Sequence, residues 1–108
     1  MDRRLADRLN EIDSQLEKLR QCEMHFLDLE AHRKVLAAQL FIKADGRSVA
    51  EREAQVYSSQ EWIDFSGGHA QAETEFNHER RRYELLLKAY DAEHLTLKTE
   101  TPVIRRQA

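Results

Sequence analysis

Glycine, proline, cysteine and long apolar runs are all scarce in this sequence. Among 108 residues there are three glycines, one proline and one cysteine. Few helix breakers favour long helices, and a single cysteine excludes an internal disulfide and fits a reducing compartment. No stretch approaches the roughly 18 apolar residues of a spanning helix, and the charged N-terminus lacks the apolar core of a signal peptide. We therefore expect a cytoplasmic protein with no membrane segment.

The charge balance excludes a strongly basic protein. Charged residues make up 34% of the chain and hydrophobic ones 41%, and the formal net charge is −3. A global basic field that would hold DNA without specificity is absent. The chain is nevertheless too apolar and too regularly patterned for a disordered tail, so we expect one folded domain.

The first part of the chain carries a coiled-coil seam. Its apolar residues recur at spacings of three and four, as on one face of a helix: Leu5, Leu9, Ile12, Leu16 and Leu19. Such heptads commonly join helices of different subunits. We expect this seam to hold together a homo-oligomer, either a dimer or a tetramer.

The second half of the same predicted helix, over about residues 2–43, is apolar on two sides. One row continues the seam after a slip of one residue through Cys22, Phe26, Leu29, Leu36 and Leu40. A second row comprises Met24, Leu27, Ala31, Val35, Ala38 and Phe41 or Ile42. A wide apolar surface indicates two neighbours rather than one. We expect a long partner helix on one side and a short helix across the other.

The first turn is well marked. Asp45-Gly46 is a turn signal, and Gly46 can adopt a positive φ as a helix C-cap. Ser48 followed by Glu51 forms a capping box, which predicts a short second helix over about 49–57.

The third helix is predicted over about 59–98. Ser58 with Glu61 offers a second capping box at its start, and Thr101-Pro102 should end it. Gly67-Gly68 leaves two alternatives open, a continuous or kinked helix and a broken one, because an interior glycine costs about 1 kcal/mol relative to alanine.

These elements predict an all-α fold. Two helices of about 60 Å would form a long antiparallel, coiled-coil-like hairpin, with the short helix at its closed end. Residues 1–100 would make a single domain, and 101–108 a loose C-terminal tail. An extended parallel coiled coil, using the same first seam, is the alternative.

Groups that could support catalysis or bind a metal are not assembled by spacing. The five histidines show no metal-ligand pattern beyond Cys22 and His25, three apart, and Cys22 lies on an apolar row where a core residue belongs. Ser66-Gly67-Gly68-His69 lacks the lysine of a phosphate loop. We expect no enzyme, no cofactor and no metal, with the histidines at surfaces or interfaces.

Clustered arginines and one tryptophan are the candidate binding residues. The arginines are Arg3, Arg4 and Arg8 near the N-terminus, Arg80, Arg81 and Arg82 in the third helix, and Arg105 and Arg106 in the tail. They could form solvated faces, meet a partner protein or contact nucleic acid. Trp62 is the candidate anchor for a partner protein, because tryptophan is enriched at interaction hot spots.

The segment Lys43-Ala44-Asp45-Gly46-Arg47-Ser48-Val49-Ala50-Glu51-Arg52-Glu53-Ala54 resembles small all-helical proteins of bacteriophages and prophages. Some of these proteins are encoded near recombination or replication genes, so the resemblance implies an accessory role but no catalytic residues. We expect a non-enzymatic protein-interaction module. The alternative hypothesis is a nucleic-acid-binding accessory protein for recombination or replication.

Overall fold

The computed structural model consists of three α-helices. They are α1 (Arg3–Lys43), α2 (Val49–Ser58) and α3 (Gln60–Gln107). The structure describes the backbone of residues 3–107 and the side chains of residues 3–97. Within that backbone no strand occurs, so the predicted all-α fold with a long first helix is confirmed.

The chain divides into two compact units. The first comprises Met1–Arg20 and Asn77–Ala108, and the second comprises Gln21–Phe76. The two chain segments of the first unit pair with opposite directions, because Arg8 meets Glu93 whereas Gln15 meets Glu79. The prediction of one domain over residues 1–100 stays a prediction.

The second unit pairs its two long helical segments in the same antiparallel sense. Phe26 lies against Phe76, whereas His32, further along α1, lies against Phe65, which is earlier on α3. The short helix α2 belongs to this unit and buries Val56.

The turn into α2 is capped as its sequence predicts. The Ser48 hydroxyl accepts a hydrogen bond from the Glu51 amide at 3.2 Å, which satisfies a donor that the helix leaves unpaired. The Glu51 carboxylate reaches back one residue beyond the cap and accepts from the Arg47 amide at 2.7 Å. Both halves of a capping box are present, the second displaced by one residue.

The prediction that Gly46 has a positive φ is wrong, since no residue of the described backbone has one. Glycine is needed at this position for space. A Cβ built on Gly46 would lie 2.8 Å from both the Arg52 amide nitrogen and the Glu51 Cβ. The Gly46 carbonyl also accepts from the Arg52 guanidinium at 3.0 Å, so the turn packs directly on the start of α2.

The α3 cap lies one residue later than the predicted cap at Ser58. Ser59 separates α2 from α3, and its hydroxyl accepts from the Trp62 amide at 3.2 Å. The Ser58 hydroxyl instead donates to the Ala54 carbonyl at 2.7 Å, inside α2. The cause is that α2 includes Ser58, so the extended backbone that a cap requires falls at Ser59.

The helix α3 is continuous through Gly67 and Gly68, and it passes the predicted stop at Thr101-Pro102 to end at Gln107. No loose tail therefore begins at residue 101. A proline removes one backbone donor, but the amides after it can still bond to carbonyls of the preceding turn. The flanking α3 turns hold the glycine pair in the helix despite its conformational cost.

Candidate functional site

The predicted oligomer seam is largely used within the chain. Leu5, Ile12 and Leu19 are buried in the first unit, while Leu9 and Leu16 are half-buried. Three of the five seam residues thus already bury their side chains inside a single chain. That the row joins subunits stays a prediction, and Leu9 and Leu16 are its most accessible members.

A buried glutamine interrupts this apolar row. Gln15 is 3% exposed, and its amide donates to the Glu79 backbone carbonyl at 3.0 Å and to the Glu79 carboxylate. Sequence analysis missed it, although Ile12, Gln15 and Leu19 are separated by three and four residues. A single polar residue in such a row fixes the pairing of two helices, because any shifted arrangement would bury its amide without partners.

Among the N-terminal arginines, Arg8 is paired with carboxylates of its own chain. Arg8 donates to Glu11 at 3.0 Å and to Glu93 at 2.8 Å. The hydrogen bond that Arg8 donates to Glu93 raises the pKa of the Arg8 guanidinium above its ordinary value. Arg3 and Arg4 are exposed, whereas the side chains of Arg105 and Arg106 lie outside the described residues. The charge of Arg8 is therefore balanced by carboxylates rather than presented to an external phosphate.

The arginines of α3 point in three directions. Consecutive residues of a helix are about 100° apart, so Arg80, Arg81 and Arg82 spread over its surface. Arg82 lies 3.9 Å from Glu79 and borders an open groove of about 790 Å³ that also holds Asp7 and Glu11. Arg80 and Arg81 border a separate cleft of about 490 Å³ whose other lining residues are Asn77, His78 and Glu84.

One histidine, His69, is half-buried within the second unit and packs against aromatic rings. The Nε2 atom of His69 lies 2.5 Å from the Glu30 carboxylate, and its ring lies 5.3 Å from Phe26 and 6.0 Å from Phe65, centroid to centroid. His25, His32 and His78 are exposed, and His94 is half-buried. Among the described residues, no group of three metal-ligating side chains comes together. The geometry of His69 suits a packing role, with its polar edge satisfied by Glu30.

Trp62, the predicted partner anchor, packs against Phe65, which is also the neighbour of His69. Its ring is 5.2 Å from Tyr57 and 5.9 Å from Phe65, and the residue is half-buried. Trp62 and Tyr57 also line a cavity of about 260 Å³, together with α1 residues that include Glu30 and Lys34. The indole is thus held on one side by its neighbours and open on the other.

The largest exposed apolar row of the second unit is the second row of α1. We define the outer face by six residues, all of them exposed: Met24, Leu27, Ala31, Val35, Ala38 and Ile42. Met24 is 65% exposed, Leu27 53%, Val35 48% and Ile42 77%. The other row of α1, through Phe26, Leu29, Leu36 and Leu40, lies about half a turn away and is buried or half-buried.

The prediction that the short helix covers this second row is wrong. With ten residues, α2 is about 15 Å long, whereas the outer face spans about 27 Å. It packs beside the outer face instead: its Arg52 guanidinium lies 5.5 Å from the centre of the Phe41 ring.

No protein-family model, curated protein or solved structure matches this chain. No helix within the described residues is long and apolar enough to cross a membrane.

Proposed function

We propose that this protein is a non-enzymatic helical interaction module that binds a partner protein through the outer face of α1. The observation that carries the proposal is a row of six exposed apolar side chains extending over five turns of one helix. Single exposed apolar residues are normal, but a contiguous row marks a binding surface. The predicted phage accessory role, drawn from the resemblance of residues 43–54, remains part of this proposal.

Energetics support binding at this face. Fully burying a side chain the size of leucine or valine contributes about 1.5–3 kcal/mol. The outer face leaves most of that free energy ungained at Met24, Leu27 and Ile42, each more than half exposed. Polar residues flank the row, with Asp28 on one side and Lys34 on the other. An apolar strip with a polar rim is the usual arrangement of a protein-binding surface.

The surroundings of His69, which forms a close acid–base pair with Glu30, support a packing role for its imidazole. The imidazole of His69 is 15% exposed and lies beside two phenylalanine rings, with its Nε2 directed at Glu30. A general base must instead reach a substrate atom from an accessible site.

Photo-crosslinking tests the proposal directly. We would place p-benzoylphenylalanine at Val35, on the outer face, and at Ile63, which is 52% exposed on α3, in cells that naturally express the protein. We expect a discrete protein adduct from position 35 and none from position 63. An absence of adducts at position 35 would refute the proposed surface.

Nucleic-acid binding is a second candidate, supported by the exposed Arg80 and Arg81 beside the cleft with His78. Substituting both arginines with glutamate should weaken retention on mixed-sequence DNA, and each lost phosphate contact should flatten the salt dependence of what remains. Equal retention of the variant and the parent, or retention insensitive to salt, would exclude this candidate.

A further inference from the structure

We infer that the occupant of the outer face is a second copy of this chain, whose α1 lies antiparallel to the first. The inference rests on the proposed function, because it names the partner for the same surface. It places the contact between subunits on Met24–Ile42 rather than on the predicted seam Leu5–Leu19.

The row has the geometry that a second identical helix requires. Its successive spacings are three, four, four, three and four residues. They total 18 residues in about five turns, which is the period of a straight α-helix. The six side chains therefore follow one line along α1, and two such lines can pack together over their full length.

The order of side chains along the row suits an antiparallel partner. The row is centred on position 33, so that Ala31 of one copy meets Val35 of the other, and Leu27 meets Ala38. Large residues then face small ones, which allows close packing without voids. A parallel partner would set Ala31 against Ala31 and Ala38 against Ala38, leaving gaps between larger contacts.

The charges beside the row favour the same direction. Antiparallel pairing sets each flank against the same flank of the second copy, which places two Lys34–Glu30 pairs and one Lys34–Lys34 pair close together, so that attractive contacts outnumber the repulsive one. Parallel pairing sets opposite flanks together, and Glu23 would then approach Asp28 of the second copy. Opposite charges across a helix pair select its orientation, and like charges oppose it.

The size of the surface predicts the strength of the dimer. A strip about 27 Å long on a helix about 10 Å wide offers on the order of 300 Å² per copy. Even with its polar flanks, the surface lies near the low end of specific interfaces, at or below about 1,200 Å² in total. We therefore expect a dimer that dissociates at micromolar concentrations rather than an obligate one.

Light-scattering mass measured over a concentration series up to about 1 mM tests self-association, since weak interfaces of this size need such concentrations. The mass of the parent protein should rise with concentration from that of one chain to that of two. Leu27→Glu should raise the dissociation constant at least tenfold. Ile63→Glu is the matched control, because Ile63 and Leu27 are equally exposed, at 52% and 53%, and it should leave the constant unchanged. A parent that stays monomeric, or equal effects of the two variants, would overturn the inference.

Cysteine pairing tests the direction of the helices. In a Cys22→Ser background, Met24→Cys and Ile42→Cys proteins of different tagged lengths would be mixed in a glutathione redox buffer. Antiparallel pairing predicts the mixed disulfide, since each position meets the other across the interface. Parallel pairing predicts only like-with-like disulfides, because positions 24 and 42 are about 27 Å apart along the helix. A predominance of like-with-like products would refute the antiparallel arrangement.

The crosslinking at Val35 separates this inference from the proposed function. An adduct with twice the mass of the chain supports the second copy. A discrete adduct of another mass would retain an interaction module but reject self-association. No adduct at all, in cells or with the purified protein at about 1 mM, would reject both.

Discussion

The side-chain amide of Gln15 donates a hydrogen bond of 3.0 Å to the backbone carbonyl of Glu79, although 64 positions separate the two residues. Gln15 lies among the apolar side chains of the first unit and is almost fully buried. Its two hydrogen bonds to Glu79 join the N-terminal part of α1 to α3 at one defined level. A shift between the helices of the first unit would therefore leave the buried Gln15 amide without these partners.

Replacing Gln15 should therefore destabilise the protein. We expect Gln15→Ala to lower the free energy of unfolding by about 1–2 kcal/mol, since it removes a buried hydrogen bond and leaves space behind. Urea denaturation followed by circular dichroism would measure the change. Asn10→Ala, at an exposed site of the same helix, should be neutral. Equal losses from both substitutions would show that Gln15 has no special role.

Arg8 and Glu93 should behave as a coupled pair. Glu93 holds the guanidinium pKa above its ordinary value, so the pair contributes stability in the charged form. A raised basic pKa means that this contribution is complete at neutral pH and is lost only as strongly alkaline pH passes through the raised value.

A double-mutant cycle with Arg8→Gln and Glu93→Gln tests this coupling through thermal melts. The losses of stability caused by the two single substitutions should not add in the double variant, because each substitution removes the same interaction. Since Arg8 is near solvent, about 0.5 M salt should reduce the coupling by screening it. Additive effects at low salt would contradict the pairing.

Replacing a glycine with alanine should stabilise the protein at Gly67 or Gly68 and destabilise it at Gly46. A Cβ at Gly67 or Gly68 meets no atom within 4 Å, and both residues lie inside α3. Alanine at either position should add about 0.5–1 kcal/mol to the unfolding free energy. Gly46→Ala should instead destabilise by about 1–3 kcal/mol, because its Cβ would lie 2.8 Å from the Arg52 amide nitrogen. Melting temperatures of the three variants check these signs, and a stabilising Gly46→Ala would contradict the described turn.

Ser59 and Ser58 form a matched pair for the α3 cap. Ser59→Ala removes the acceptor of the Trp62 amide and should cost about 1 kcal/mol. Ser58→Ala removes a hydroxyl that bonds within α2 and should change little, because alanine is the better helix former. Chemical denaturation of both variants measures the difference. If Ser58→Ala lost more unfolding free energy than Ser59→Ala, Ser58 would be the cap, as the sequence predicts.

Leu9 and Leu16 distinguish the two candidate subunit contacts. Changing both to aspartate should destabilise each chain, because both side chains are half-buried in the first unit and a charge there lacks a partner. Below its melting temperature, however, the variant should still dimerise through the outer face. A fully folded but monomeric variant, measured by light scattering and circular dichroism, would support the seam as the subunit contact.

Much of the local structure was predictable from short stretches of sequence. Ser48 with Glu51 correctly predicted the start of α2, because a cap depends on groups only three residues apart. The heptads predicted the buried positions Leu5, Ile12 and Leu19, because helical period alone aligns them on one face. The spacing of Met24, Leu27, Ala31 and Val35 also placed a second apolar row on α1.

The sequence by itself determined the three helices, the N-terminal caps of α2 and α3 within one residue, and the two apolar rows of α1, since propensity and period act over a few turns. Only the tertiary structure decided which row is covered. The chain pairs the seam with its own α3, joins Gln15 to Glu79, and leaves Met24–Ile42 open because α2 is too short to cover it. A local sequence pattern predicts that a surface is apolar. Which element packs against that surface depends on contacts between residues far apart in the chain.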